Sequence, residues 1–175
     1  MDGTASVLGR ACSEKFDEDV MTLFTDSGIS EVGSTGVDLT IDTIADAVQT
    51  VRANKFGGEV NVVLHPTQIK EILKEFTSAA FAGSDAANEA MRTGFVGKLF
   101  GANVYQSALV QTDNSGADYA GCAFVSGAFG IAMFRGLDVA MARNEAGMGT
   151  DIIASIHANS ALLDANRAVR IISDV

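Results

Sequence analysis

The chain has 175 residues, 47% of them hydrophobic and 19% charged, a globular composition that excludes a disordered chain. Its formal charge of −10 argues against specific nucleic-acid binding, because an acidic surface repels phosphate backbones and the 12 basic residues are scattered. The two cysteines, Cys12 and Cys122, lack the CxxC spacing of a zinc site and are expected to be reduced core residues, as suits a cytosolic folding compartment.

The opening residues MDGTASVLGR hold no long apolar run, so no signal peptide is expected, and no window approaches the length of a membrane span. From residue 4 to residue 24, Leu8, Ala11, Cys12, Phe16, Val20, Leu23 and Phe24 recur at three- and four-residue steps. They predict an amphipathic helix roughly 30 Å long. Glu14 and Glu18 are like charges four residues apart, a small cost that Lys15 offsets. Residues 25–38 are rich in Gly, Ser and Thr and predict a loop. The GSTG at 33–36 lacks the Lys and the following Ser/Thr of a phosphate-binding loop.

Thr40 or Asp42 can cap a second helix reaching about Asn54, with Ile41, Ile44, Ala45, Val48 and Val51 as its apolar stripe. VNVVL at 60–64 predicts a short buried strand, which His65-Pro66 stops; Pro66 suits the first turn of a helix over 67–76. Residues 81–94 predict a loop with a short helix. A strand is expected near 103–107, a polar turn at 113–118, a strand at 119–125 and a small-residue helix at 126–134. The remainder alternates like sheet. Val139, Met141 and Arg143 share a face, as do Ile152, Ala154, Ile156 and Ala158. Val169, Ile171 and Ser173 repeat the pattern in a third strand, with turns at 144–149 and 164–166. Helices first, then helix-strand-helix, then consecutive strands predict an α+β fold.

Little in the chain suggests chemistry. His65 has the place of a turn or cap residue and His157 of a solvated one, and neither has a partner at metal-ligand spacing. GxSxG, GxGxxG and HExxH motifs are absent, so no catalytic residue, metal or cofactor is assigned. Acidic pairs such as Asp17-Glu18 fit a solvated helix face. Arg143 and Glu145 flank a turn between long strands, and Arg167 and Arg170 stand near the last turn. All four are candidates for subunit contact.

An ordered set of segments carries a resemblance. It runs SVLGRACSEKFDEDVMTLF, VVLHPTQIKEIL, GKLFGANVYQSALVQTD, AFVSGAFGIAMFRGLDVAMARNE, then GTDIIASIHANSALLDANRAVRIISD. Together they resemble the major capsid protein family of tailed bacteriophages, over nearly the whole chain. The resemblance implies the capsid fold shared with encapsulins: a long spine helix, an axial α/β lobe and a peripheral antiparallel sheet. On this sequence it implies a spine helix and loop of the peripheral domain at 1–37, an axial domain at 38–136, and returning peripheral strands at 137–175. It further implies a non-enzymatic subunit that self-assembles, as pentamers and hexamers, into an icosahedral head around a double-stranded DNA genome. Scaffolding and portal proteins would be its other partners. Its place would be the virion, after synthesis in the host cytoplasm. Family members carry an amino-terminal arm and an extended loop before the spine helix. This sequence starts at the helix and is therefore expected to be a truncated core or a fragment. Two other readings stand beside this one: an encapsulin-like shell around an enzyme cargo, and a small α+β enzyme.

Overall fold

The computed structural model describes residues 2–76 and 97–174, and among these are three α-helices and nine strands. Helix α1 (Asp2–Thr22) half-buries Leu8, Cys12, Phe16 and Val20 of the predicted stripe and leaves Ala11 exposed, and Lys15 reaches both Glu18 at 3.0 Å and Asp19 at 3.1 Å on its surface. A 3-10 turn over Leu23–Thr25 ends it, and Asp26 Oδ1 accepts the Gly28 N–H at 2.8 Å to turn the chain. The segment expected to be a loop then holds a strand, β1 (Ser30–Gly33). With Val32 as its one large apolar side chain, β1 has no pattern of its own. It exists because it pairs in parallel with a strand some 140 residues away, Ser30 opposite Val169.

Helix α2 (Ile41–Ala53) begins at Thr40, whose hydroxyl accepts the Thr43 N–H at 3.2 Å. Ile41, Ile44, Ala47, Val48 and Val51 are buried, so Ala47 takes the place expected for Ala45. Strand β2 (Val60–Leu64) leads into α3 (Pro66–Phe76), with Pro66 in the first turn as predicted. The short helix expected within 81–94 lies outside the described residues. Next come β3 (Lys98–Leu99), β4 (Ala102–Gln106), β5 (Thr112–Asp113) and β6 (Asp118–Val125).

The helix expected at 126–134 is not there. Those residues form a turn and the start of β7 (Phe129–Asn144), a 16-residue strand paired with β8 (Gly149–Leu162). Small residues suggested helix, but the period-two spacing of Phe129, Ile131 and Met133 prevails because they pair with Leu162, Ser160 and Ala158. The last strand, β9 (Ala168–Asp174), corrects a second expectation. It does not extend the β7–β8 hairpin. It is a central strand of the seven-stranded sheet β1-β9-β6-β2-β4-β3, with β5 added on β6, while β7 and β8 form their own two-stranded sheet.

Helices α2 and α3 cover one face of the large sheet, burying Val60, Val62, Leu64, Val104, Val125, Val169 and Ile171 against Ile44, Val51 and Ile72. At 0.8 kcal/mol or so per buried methylene, this cluster is the main source of stability. Close packing here is visible at Gly121 of β6. A Cβ there would stand 2.7 Å from Leu64 Cδ2 and 3.0 Å from Val63 O. A second cluster on the other face gathers Phe24, Ile29, Val63, Val110, Cys122, Ala128 and Ala168. Within it Phe24, Phe124 and Phe129 form a ring trio, with centroids 5.3 to 6.1 Å apart. The trio ties the end of α1 and the base of the hairpin to the large sheet.

Candidate functional site

Large apolar side chains that the fold leaves bare concentrate on the hairpin. Cα partners across β7 and β8 share a face, so Ile131, Met133, Val139 and Met141 lie with Ser160, Ala158, Ala154 and Ile152. Helix α1 packs along this face, but over β8: Ile152, Ala154, Ile156 and Ala158 are half-buried, and the Ser160 hydroxyl approaches Asp19 O at 3.5 Å. The β7 half stays open. Ile131 is 56% exposed, Met133 56%, Val139 40% and Met141 61%. The result is an apolar stripe flanking a helix, rimmed by polar groups, which is the composition of an interaction surface.

The backbone edge of β7 is blunted. Two bulges fall between Met133 and Asp138, the first placing Phe134, 94% exposed, outside the pairing. Arg135 and Asp138 pair with each other there. Bulges and charges of this kind keep an edge strand from zipping onto any passing strand. Beside the first bulge lies a shallow groove of about 560 Å³ lined by Ala132, Met133, Phe134, His157, Ala158 and Asn159. His157 is exposed in it, on the polar side of β8 as predicted.

At the hairpin tip, Asn144 orders the turn: its Oδ1 accepts the Gly147 N–H at 3.0 Å and its Nδ2 donates to Asp151 at 3.1 Å. Met148 is 98% exposed, at a positive φ of 50°. Arg143 and Glu145 flank this tip and are both exposed, in an open concavity of about 780 Å³ shared with Asn144, Met148, Gly149 and Thr150.

The other two predicted contact residues are engaged within the subunit. Arg167 pairs with Asp164 at 3.0 Å, donates to Ser126 O at 3.1 Å and stacks over the Phe56 ring at 4.3 Å. Arg170 has only 13% of its side chain exposed. Its guanidinium joins Glu31 of β1 and Asp113 of β5 and donates to Thr25 O at 3.3 Å, while its Nε is buried without a hydrogen-bond partner. Alternation along β9 could not show this, since the partners come from β1, β5 and the end of α1.

Sequence reasoning also missed a polar framework around α3. Glu71 Oε2 accepts the Leu39 N–H at 2.7 Å and Glu75 Oε2 the Ile41 N–H at 2.6 Å. Asp118 Oδ1 accepts the Gly36 N–H at 3.0 Å, and Gln68, fully buried, donates to Ser173 Oγ at 3.0 Å. Burial pushes the Glu71 carboxyl above its ordinary range, with the Leu39 N–H opposing, the Asp38 and Asp174 charges adding to the rise, and Lys74 opposing it. Each group holds backbone, so the framework is structural. Cys122 is buried and its thiol pushed far up by desolvation, whereas Cys12 is only half-buried on α1, not in the core. Among the described residues no group of three His, Cys, Asp or Glu side chains is placed to hold a metal ion.

A family model described as phage capsid protein matches residues 2–155. Among curated proteins none matches the chain. Among solved structures, one from Mycobacterium phage Che8 is similar at 19% identity and TM-score 0.77, over 93% of this chain and 59% of that one. The capsid structure of cyanophage P-SCSP1u is similar at 16% identity and TM-score 0.72, over 98% and 65% of the two chains. The SrpI encapsulin complex from Synechococcus elongatus is similar at 12% identity and TM-score 0.57, over 91% and 60%. At these identities the likeness is one of fold. The chain thus spans about three-fifths of the length of the structures it matches.

Proposed function

This chain belongs to the phage capsid protein family, and on that premise we propose that it is a major capsid protein subunit, which self-assembles into the icosahedral head enclosing a double-stranded DNA genome. The observation that carries the reading is the family match over residues 2–155. The half-bare hairpin supports it, because a subunit whose work is assembly needs apolar surface displayed at its edges. The role is structural rather than catalytic. Many contacts of a few kcal/mol each add up to a closed shell. A net charge of −10 suits a wall that does not trap its cargo.

The domain scheme of 1–37 and 137–175 as peripheral parts around an axial domain at 38–136 carries over with two adjustments that strand pairing favours. The hairpin starts at Phe129, and β9 belongs with the axial sheet. Partners are other copies, as pentamers and hexamers, with scaffolding and portal proteins; the place is the virion, after synthesis in the host cytoplasm. Arg143 and Glu145 are the contact charges best displayed for this role. A second reading, an encapsulin-like compartment around a protein cargo, has the SrpI likeness in its favour. DNA rather than protein inside purified particles separates the two.

Light scattering after size exclusion at low and high salt, with electron microscopy of any large fraction, tests the proposal. Rings, tubes or shells are expected. Charge reversal, Arg143→Glu or Glu145→Lys, should weaken assembly while leaving the subunit folded. Normal assembly of both variants would remove these residues from the contact, and an 18.2 kDa monomer under every condition would show that this segment does not assemble by itself.

A further inference from the structure

Helix α3 begins with a capping box in which a histidine takes the place of serine or aspartate. His65 Nδ1 accepts the Thr67 N–H at 3.3 Å and lies 3.1 Å from the Thr67 hydroxyl. In return the Gln68 side chain accepts the His65 N–H at 3.0 Å. A backbone N–H can only donate, so Nδ1 carries a lone pair and the ring is neutral, with its proton on Nε2. The ring lies flat on Tyr119, centroids 3.8 Å apart and planes 12° off parallel.

We propose that His65 is a pH-sensitive cap: protonation of its ring uncaps α3 and loosens the connector at 39–41 that α3 holds through Glu71 and Glu75. Protonation converts the Nδ1 acceptor into a donor facing another donor. It also sets a positive charge at the helix N-terminus, where the macrodipole disfavours it. Both effects have the same sign. Stacking of a cationic ring on Tyr119 opposes them. Desolvation adds to them, lowering the pKa below the ordinary histidine value. The cap is therefore intact above that ordinary value and is lost as pH falls through the lowered one. Tyr119 of β6 is the titratable group in contact with the ring, Asp118 precedes it on the same strand, and Glu71 stands one turn further along α3. Asp118 is turned to Gly36 and Glu71 to Leu39.

Loosening has a defined path. Gln68, the other half of the box, also donates to Tyr119 O and Ser173 Oγ, so the first turn of α3 is its anchor to β6 and β9. The proposal concerns events inside one subunit and does not depend on the assembly reading.

Amide hydrogen exchange over residues 67–71, normalised to intrinsic rates, tests it between about pH 7 and about pH 5. Loss of a cap should raise exchange about fivefold at the lower pH. His65→Asn should abolish the pH dependence, because an asparagine caps at either pH. The two histidines also allow a direct titration by NMR, with His157→Gln to assign the pair. His65 should titrate below the ordinary histidine value. Equal pH dependence in the wild type and His65→Asn, or a His65 pKa at or above the ordinary histidine value, would overturn the proposal. Should the asparagine variant not fold, the wild-type titration decides.

Discussion

Changing Met133 and Met141 to glutamine should weaken assembly and leave the subunit intact. Glutamine is close to methionine in shape, so what changes is the transfer free energy of the side chain. Full burial of a methionine is worth about 1.5–3 kcal/mol. With 56% and 61% of the two side chains still in water, roughly half of that remains to be gained at a contact. Each substitution should therefore cost the contact about 1–1.5 kcal/mol, and the pair about 2–3 kcal/mol. That weakens association about 30- to 150-fold. The subunit itself gains little from side chains that are already wet, so its unfolding free energy should move by no more than about 0.5 kcal/mol. Two measurements check this: the protein concentration at which large species appear in light scattering, and the urea midpoint of the dissociated chain. A double variant that assembles at the wild-type concentration would refute the assignment of this face. A large fall in the urea midpoint would show instead that the face is part of the core.

Three further outcomes follow from particular contacts. Phe24→Ala empties the centre of the ring trio at a residue only 2% exposed, and should cost about 3–5 kcal/mol in chemical denaturation, with Phe24→Leu costing less than half of that. Arg170→Met should cost about 1–2 kcal/mol, less than breaking a fully buried pair. Glu31 and Asp113 keep 47% and 33% of their side chains in water and stay hydrated once the guanidinium is gone; unchanged stability would mean the cluster is dispensable. Glu71→Gln keeps an acceptor for the Leu39 N–H and removes a charge that burial disfavours. It should be neutral or stabilising near pH 7, and the difference should close as pH falls through the raised pKa of Glu71; urea midpoints at several pH values would show a loss at pH 7 if the charge itself were needed.

Elements that carry their own pattern were legible in the sequence. The apolar run of β2, the threonine cap of α2 and all of its stripe but Ala45, Pro66 opening α3 and the alternation of β8 express local rules and stand where those rules put them. Errors arose where a partner decides the outcome. β1 is a strand because β9 lies beside it, and nothing in Ser-Glu-Val-Gly announces that. Alternation identified β9 as a strand without naming its sheet. The better signal was burial on both sides: Ala168, Val169, Ile171 and Ile172 are all apolar, which suits a central strand rather than one half of a solvated hairpin. In the candidate surface, the tip residues Arg143 and Glu145 are displayed as the turn between long strands suggested. The apolar stripe beside α1 was not foreseen, because bareness depends on where the helix lies.

An isolated two-stranded hairpin is marginal in water, so the length of β7 and β8 needs an explanation from outside the pair. Part of it is inside the subunit. α1 covers the β8 half of one face, and Phe129 anchors the hairpin base in the trio with Phe24 and Phe124. From Ile131 to Met141 the β7 half has little such support, α1 reaching it near Leu137, yet it is apolar at alternate positions and its edge is protected by bulges against indiscriminate pairing. A strand that is sticky on its face and guarded along its edge is suited to a contact made face-on, with a defined partner geometry. The large sheet, with its packed core, then supplies stability that the hairpin lacks. This division lets the Phe24 and Met133/Met141 substitutions act on separate quantities, folding in the first case and association in the second.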